Sequence, residues 1–236
     1  MFDIAETSPA YPDGPIPTDQ EMRDFALEPR GPPPPPEPGH DPLPAAKRIA
    51  FNGVDFPSSA IRPHEPVEIE LVKAIDSASK TLRIAMYEFG LESVWDALQR
   101  AKKRGIKIEV ILDRSHVYTT GYEDDGVTPR KPKQMVVDLL RDKAFDVLLL
   151  KGRSGGIMHN KFILVDEGLV EFGSYNYTRQ SEEDHYENIF FSIENARISG
   201  YIKYFEYMRG LAEEPDMDKL EDVLTREDAI MPEADE

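Results

Sequence analysis

From residue 66 to residue 211 the hydrophobic spacing of the chain switches repeatedly between a helical and a strand period, and this alternation constrains the fold more than any other feature. Residues 66–79 predict a helix, with Pro66 placed for its first turn and Leu71, Val72, Ile75 and Ala78 at helical spacing. A strand follows at 81–89. Residues 92–104 predict an amphipathic helix with Trp95 and Leu98 inward and Gly105 just past its end. A strand at 107–113, a helix at 132–142 (Met135, Val136, Leu139, Leu140) and a strand at 145–150 come next. Strands at 161–165 and 169–172 are joined by Asp166-Glu167-Gly168, a turn that predicts a hairpin. A strand at 187–193 and a helix at 195–211 complete the pattern. Strand–helix alternation followed by hairpins implies an α/β fold, a mixed β-sheet flanked by helices. No internal repeat is visible.

The flanks differ in kind. Residues 1–46 are rich in proline and acid and contain five consecutive prolines at 32–36, which favour an extended polyproline conformation and cannot build a core. They predict a disordered arm, a linker in the plain reading and a partner-binding segment in the sharper one. Residues 212–236 predict an acidic C-terminal tail. Its weak helical pattern (Met217, Leu220, Val223, Leu224) fits a frayed end or a helix that docks elsewhere. The folded domain is then 47–211.

Charge follows the same division. The chain carries a net charge of −17, which by itself disfavours a polyanionic substrate. Residues 1–46 hold 9 acids and 2 bases, and 211–236 hold 11 acids and 2 bases, whereas 47–210 hold 25 acids and 24 bases. The middle is nearly neutral, so a phosphate-binding groove remains electrostatically open there. With no cysteine, disulfides and thiolate metal sites are excluded. The first residues carry acids and prolines, without the basic and apolar regions of a signal peptide, and no run approaches a membrane span. As written, the sequence predicts a soluble, cytoplasmic chain with no integral membrane segment; export stays open if a leader has been removed.

The chemistry concentrates in His159-Asn160-Lys161, Asp166 and Gly173-Ser174-Tyr175-Asn176. Positions i and i+2 of a strand face one side, so His159 and Lys161 project together, an imidazole beside a fixed cation. The second strand ends in a glycine that allows close backbone approach, a hydroxyl and a carboxamide. A nucleophile or base beside three donors suits a phosphate whose charge must be stabilised as it rises. Glu187 follows on the next strand and is placed to orient the histidine through its second nitrogen. The bland alternative is a strand-capping histidine, a solvated lysine and a Gly-Ser-Tyr-Asn turn.

These residues resemble the phospholipase D superfamily. His159, Lys161 and Asp166 match its HKD motif, and Gly173, Ser174 and Asn176 match the segment that follows. Tyr177-Thr178 resembles the aromatic-Thr pair of its small bacterial endonucleases, and Glu187 matches the acidic residue that holds the catalytic histidine. The likeness spans roughly residues 50–210. It implies a phospholipase D-like fold and a two-step displacement needing neither metal nor cofactor. His159 forms a phosphohistidine while a second histidine protonates the leaving oxygen and then activates water. Lys161, Asn176 and Ser174 would bind the non-bridging oxygens, Glu187 would set the tautomer of His159, and Asp166 fits a structural role better than proton transfer.

That scheme needs two histidines, and the chain has one such motif. His40, His64, His116 and His185 all lie outside it. His116 reads as a surface-loop histidine, with the mouth of the pocket as the alternative. A homodimer that pairs two His159 residues across a two-fold axis satisfies the scheme, as in the single-motif members of the family. The resemblance implies a nucleic acid substrate first. Tyr118, Tyr122, Arg130, Lys131 and Lys133 in the loop 114–133 are the candidate groove, with Gly173 beside it, because bases stack on aromatic rings and cations meet phosphates. The basic helix end Arg100, Lys102, Lys103 and Arg104 reads as a solvated face, and the acidic turn 182–184 counts against backbone binding. A phospholipid such as cardiolipin is the alternative substrate. A regulatory module autoinhibited by its acidic tails is the third reading. The aromatic run Tyr201, Tyr204, Phe205, Tyr207 and Met208 predicts core packing, with a share in a dimer interface as the second option.

Overall fold

The structure, a computed structural model, describes residues 43–123 and 127–227. The chain divides after Pro38 into two units, and everything described belongs to the second. Most of the expected N-terminal arm and the last nine residues of the expected tail thus lie outside the described residues.

The alternating region folds as the spacing predicts. Strands β4 (Thr81–Met86), β5 (Lys107–Asp113) and β6 (Phe145–Leu150) pair in parallel, with helices α1 (Val67–Asp76), α2 (Glu92–Lys103) and α3 (Gln134–Arg141) before or between them. Strands β7 (Lys161–Val165), β8 (Leu169–Gly173) and β9 (Asn188–Ser192) pair antiparallel. Strand β7 joins the two groups by running antiparallel to β4, with Met86 opposite Lys161 and Leu82 opposite Val165. The short helix α4 (Arg179–Glu183) lies between β8 and β9, and α5 (Asn195–Arg209) follows β9.

Three strands, besides the short helix α4, were not read from the sequence. Strands β1 (Arg48–Phe51) and β2 (Val54–Pro57) form a separate hairpin turned by Asn52 and Gly53, both at positive φ. Asn-Gly between short apolar runs is the usual signature of such a turn, so the signal was present. Strand β3 (Ser59–Ile61) pairs with β9, which makes the main sheet seven-stranded in the order β3-β9-β8-β7-β4-β5-β6.

Strand alternation divides the core between the two faces. Leu82, Ile84 and Met86 of β4 and Ile163 and Val165 of β7 join α1, α2 and α3 in one apolar cluster. Ala85, Ile111, Phe162, Leu164 and Val170 meet Ile198, Phe205 and Met208 of α5 in the other. The second face also holds a charged bracket. Arg83 pairs with Glu109, Glu167 and Glu206, and Arg209 with Glu109 and Asp146, which ties α5 to the strands. Phe205 is fully buried, whereas Tyr207 is 61% exposed, so the aromatic run splits between core and surface.

Of the two readings of the segment from residue 212, a frayed end or a docked helix, the described residues show the docked helix. Glu213 pairs with Leu149 at the edge of the sheet, and a sixth helix, α6 (Met217–Leu224), packs Leu220 and Val223 inward. The acids of this helix lie on its outer side, so composition suggested a tail while its apolar stripe built a docked helix.

Candidate active site

One end of the sheet gathers the polar residues. Because β4 and β5 run parallel while β7 and β9 oppose β4 and β8, this end holds the C-termini of β4, β5 and β8 and the N-termini of β7 and β9. It is the carboxyl end of the parallel strands, where open α/β sheets place their ligands. Past β4, Tyr87 donates its N–H to the Asn160 carbonyl at 2.9 Å, and Tyr177 donates to the Glu88 carbonyl at 3.2 Å. These bonds extend the ladder and carry His159 and Asn176 to the same edge.

The His159 ring is exposed and lies edge-on to the Tyr87 ring, with centroids 4.5 Å apart. Partial desolvation, then the adjacent Lys161 ammonium, holds the imidazole below its ordinary pKa of 6.5; Asp113 pulls the other way, and His116 adds to the lowering. Neutral imidazole is the form that attacks phosphorus or accepts a proton. Lys161 is 7% exposed. Its Nζ donates to the His159 carbonyl at 3.1 Å and lies 4.9 Å from the centroid of the Tyr87 ring. Burial lowers its pKa, opposed by Glu187 and Glu88. The loop before His159 is anchored by Asp113, whose Oδ2 accepts from the Met158 N–H at 2.6 Å.

Ser174 and Glu187 face each other across β8 and β9. The Ser174 hydroxyl donates to Glu187 and accepts from the Asn188 N–H at 3.1 Å. The Glu187 partners found within one chain are therefore Ser174 and, at 3.7 Å, the Nδ1 of His185. The contact expected from Glu187 to His159 is not among those of the described residues. The Asn176 Oδ1 is buried without a hydrogen-bond partner among the described residues, a state that buried polar atoms rarely keep outside functional sites.

Several expected site residues have other surroundings. Asp166 stands five residues along the strand from Lys161, roughly 16 Å away at the opposite end of the sheet. Its carboxylate accepts from the N–H groups of Ser79, Lys80 and Thr81, the Ser79 hydroxyl and the Asn52 amide at 2.7–2.8 Å. Gly173 is required by packing: a Cβ there would lie 2.1 Å from the Asn188 carbonyl oxygen of the neighbouring strand. Tyr177 is buried against Glu171, and Thr178 caps α4.

In the loop 114–133, Tyr118 is corrected as a stacking platform. It is 8% exposed, its hydroxyl is bonded to the Asp216 backbone, and Arg114 and Lys219 cover its ring. Tyr122 remains exposed. Arg130, Lys131 and Lys133 line a cavity of about 390 Å³ with His116, Glu88 and Gln180. Arg100 and Arg104 pair with Asp76, and Lys102 with Asp142, so most of that basic helix end is spent on intrachain contacts. In the acidic turn, Glu182 faces inward to Arg62 and Tyr175, and Glu183 pairs with Arg179. The repulsion expected there is largely neutralised.

Tyr87, Glu88 and Asp113 escaped the sequence reading because their place depends on strand order. His116 is drawn into the site by its edge-on contact with Tyr87, at 4.4 Å between centroids. A second cavity of about 480 Å³ adjoins His159 on its other side, lined by Ile157, Met158, Tyr204, Tyr207, Met208 and Leu211 among others. Among the described residues no group of three or more His, Asp and Glu side chains is arranged to hold a metal ion, and no helix is long and apolar enough to cross a membrane.

The family model described as "Cardiolipin synthase, PLD-like domain" matches residues 71–209. The mitochondrial cardiolipin hydrolase of Homo sapiens is 24% identical over 145 residues, 61% of this chain and 52% of that protein. The phospholipase D of Rickettsia conorii is 26% identical over 133 residues, 56% of this chain and 59% of that protein. The chain thus spans little more than half the length of these relatives. Among solved structures, NucT from Helicobacter pylori matches with a TM-score of 0.56 and 25% identity, covering 67% of this chain and 98% of that one. Nuc from Salmonella typhimurium, a phospholipase D family member, matches in fold with a TM-score of 0.52 and 23% identity over 66% and 95% of the two chains.

Proposed function

The chain belongs to the phospholipase D-like family, and on that premise we propose that it is a phosphodiesterase, specifically an endonuclease that cleaves DNA or RNA through a phosphohistidine. The observation that carries the chemistry is an imidazole held toward its neutral form beside a buried lysine, with Ser174 and Asn176 at the same end of the sheet. His159 attacks phosphorus, and the P–O bond to the leaving oxygen breaks. Lys161, Ser174 and Asn176 stabilise charge on the non-bridging oxygens. The leaving oxygen takes a proton from a second imidazole, which then removes one from the water that hydrolyses the phosphohistidine. The donors are fixed in the protein, so the reaction is assigned no metal.

The second imidazole is His159 of another copy of the chain. The exposed residues Ile157, Tyr204, Tyr207 and Leu211 lie around the cavity next to His159 and give an isologous partner an apolar surface beside the reacting group. A nucleic acid substrate is favoured by the cation-lined cavity on the other side of Tyr87 and by the near-complete coverage of NucT.

A phospholipid is the second reading. The apolar lining of the cavity beside His159 and the relatives named as cardiolipin hydrolase and phospholipase D favour it. The deciding assay presents plasmid, single-stranded DNA, RNA and cardiolipin vesicles in excess EDTA to wild type and His159→Ala. Nucleic acid cleavage by wild type, lost in the variant, is the expected result. Hydrolysis of cardiolipin alone would replace the nuclease reading with the lipid one.

A further inference from the structure

The cavity on the far side of Tyr87 has the makings of a separate binding site. The Tyr87 ring is flanked edge-on by His159 and by His116, so both imidazoles contact one phenol. His116 belongs to the cavity that also holds Arg130, Lys131 and Lys133. Two of these cations are matched by carboxylates within the cavity: Lys133 Nζ is 3.1 Å from Glu88, and Arg130 Nε is 3.7 Å from Glu123. Both pairs are solvated, and pairs of this kind exchange readily for a better anion. Lys131 is exposed and makes no ion pair among the described residues. The cations are therefore arranged around a space that none of the phosphate-stabilising side chains, Lys161, Ser174 or Asn176, enters.

The C-terminal segment braces this cavity. Arg226 donates to the carbonyls of Thr119 and Arg130 at 3.0 and 2.9 Å, and the Tyr118 hydroxyl bonds the Asp216 backbone. The loop that presents Arg130 and Lys131 is thus clamped by residues on both sides of α6.

We propose that the cavity of His116, Arg130, Lys131 and Lys133 is a flanking-phosphate subsite, which holds the nucleic acid backbone beside the scissile diester, and that the C-terminal segment is its brace. The inference rests on the nuclease reading, since it takes a continuous sugar–phosphate backbone as the occupant; cardiolipin also carries two phosphodiesters and is the occupant that the test must separate from it. Phosphate displaces the Glu88 and Glu123 carboxylates from Lys133 and Arg130, and Lys131 and the His116 ring complete the cradle. A diester that fills the central site alone does not reach it.

The test separates binding from cleavage. In a His159→Asn background, binding of a labelled dinucleotide, whose single phosphodiester fills the central site alone, and of a 12-nucleotide single strand is measured in EDTA over a range of salt. Lys131→Ala should weaken the 12-mer several-fold, lower its salt slope by about 0.7, the share of one phosphate contact on a single strand, and leave the dinucleotide unchanged. Lys131→Arg should restore most of the loss. Arg226→Ala should weaken the 12-mer with its salt slope unchanged, because it touches loop carbonyls rather than phosphate. With His159 intact, Lys131→Ala should lower cleavage of the 12-mer at subsaturating concentration by the same factor as its binding. Unchanged 12-mer binding in Lys131→Ala, with wild type still cleaving nucleic acid, would overturn the subsite and leave the nuclease reading standing. Length-dependent, Lys131-dependent binding with no cleavage of any nucleic acid would do the reverse. Equal loss of activity toward cardiolipin vesicles and toward the 12-mer would overturn the assignment to nucleic acid.

Discussion

His159 and Asp166 belong to one sequence motif, yet β7 holds them at opposite ends of the sheet. At one end, the imidazole is exposed beside a buried ammonium and an amide oxygen without a partner. At the other, a carboxylate accepts five hydrogen bonds from the β1–β2 turn and the segment that leads into β4. Polar groups with unmet capacity mark where a ligand goes, and satisfied ones mark where the backbone is fastened. On the proposed reading one end reacts and the other holds, so the motif's residues should separate cleanly by experiment.

The largest effect is expected at the reactive end. His159→Ala should lower phosphodiester hydrolysis by roughly 10⁴-fold or more, the scale of losing a nucleophile, with the melting temperature little changed. Lys161→Ala should cost about 10²–10³-fold in kcat, the scale of removing one donor to developing charge. Asp166→Ala should invert that pattern. We expect a stability loss of about 2–3 kcal/mol in thermal or urea unfolding, with kcat of the folded enzyme within about threefold of wild type. A loss of kcat comparable to that of Lys161→Ala, at unchanged stability, would erase the distinction between the two ends.

Three pH experiments sharpen it. Burial raises the Asp166 carboxyl, but the hydrogen bonds from Thr81, Ser79 and Lys80 outweigh that and hold it below its ordinary 3.8. Its contribution is present above that value and is lost as pH falls through the folded one, so wild type and Asp166→Ala should converge in acid. Glu171 lies midway along β8 opposite Ile163, fully buried, with burial pushing its pKa up to about 8 against the Tyr177 hydrogen bond. The unfolded carboxyl releases its proton near 4.5, so stability should fall as pH rises from there to about 8. Glu171→Gln should remove that slope, read as a melting temperature above wild type at pH 8 but not at pH 4. The smallest expected shift is in activity. His159 must be neutral to attack and its pKa is lowered, so the acid limb of kcat/KM assigned to it should lie below 6.5.

The same contrast explains what the sequence disclosed. Helices and strands from residue 66 onward were legible because each carries a local period, and His159, Lys161, Ser174 and Asn176 because strand geometry makes i and i+2 neighbours. Tyr87, Glu88, Asp113 and His116 were not legible as a group. They come from the ends of β4 and β5, and only the order β7-β4-β5 makes them meet. Tyr118 misled because an aromatic residue in a polar loop looks exposed, whereas the C-terminal segment covers it. That segment read two ways: its acids dominate its composition and suggested a tail, and two buried side chains, Leu220 and Val223, decide for the docked helix.

The account stands on His159 as the nucleophile, and trapping the intermediate tests it most directly. Wild-type enzyme is mixed with a labelled phosphodiester in EDTA, quenched within one turnover in base, and mapped by peptide mass spectrometry. The account predicts an acid-labile, base-stable adduct on the peptide carrying His159, absent from His159→Ala. Turnover without an adduct, or an adduct on His116 instead, would contradict it.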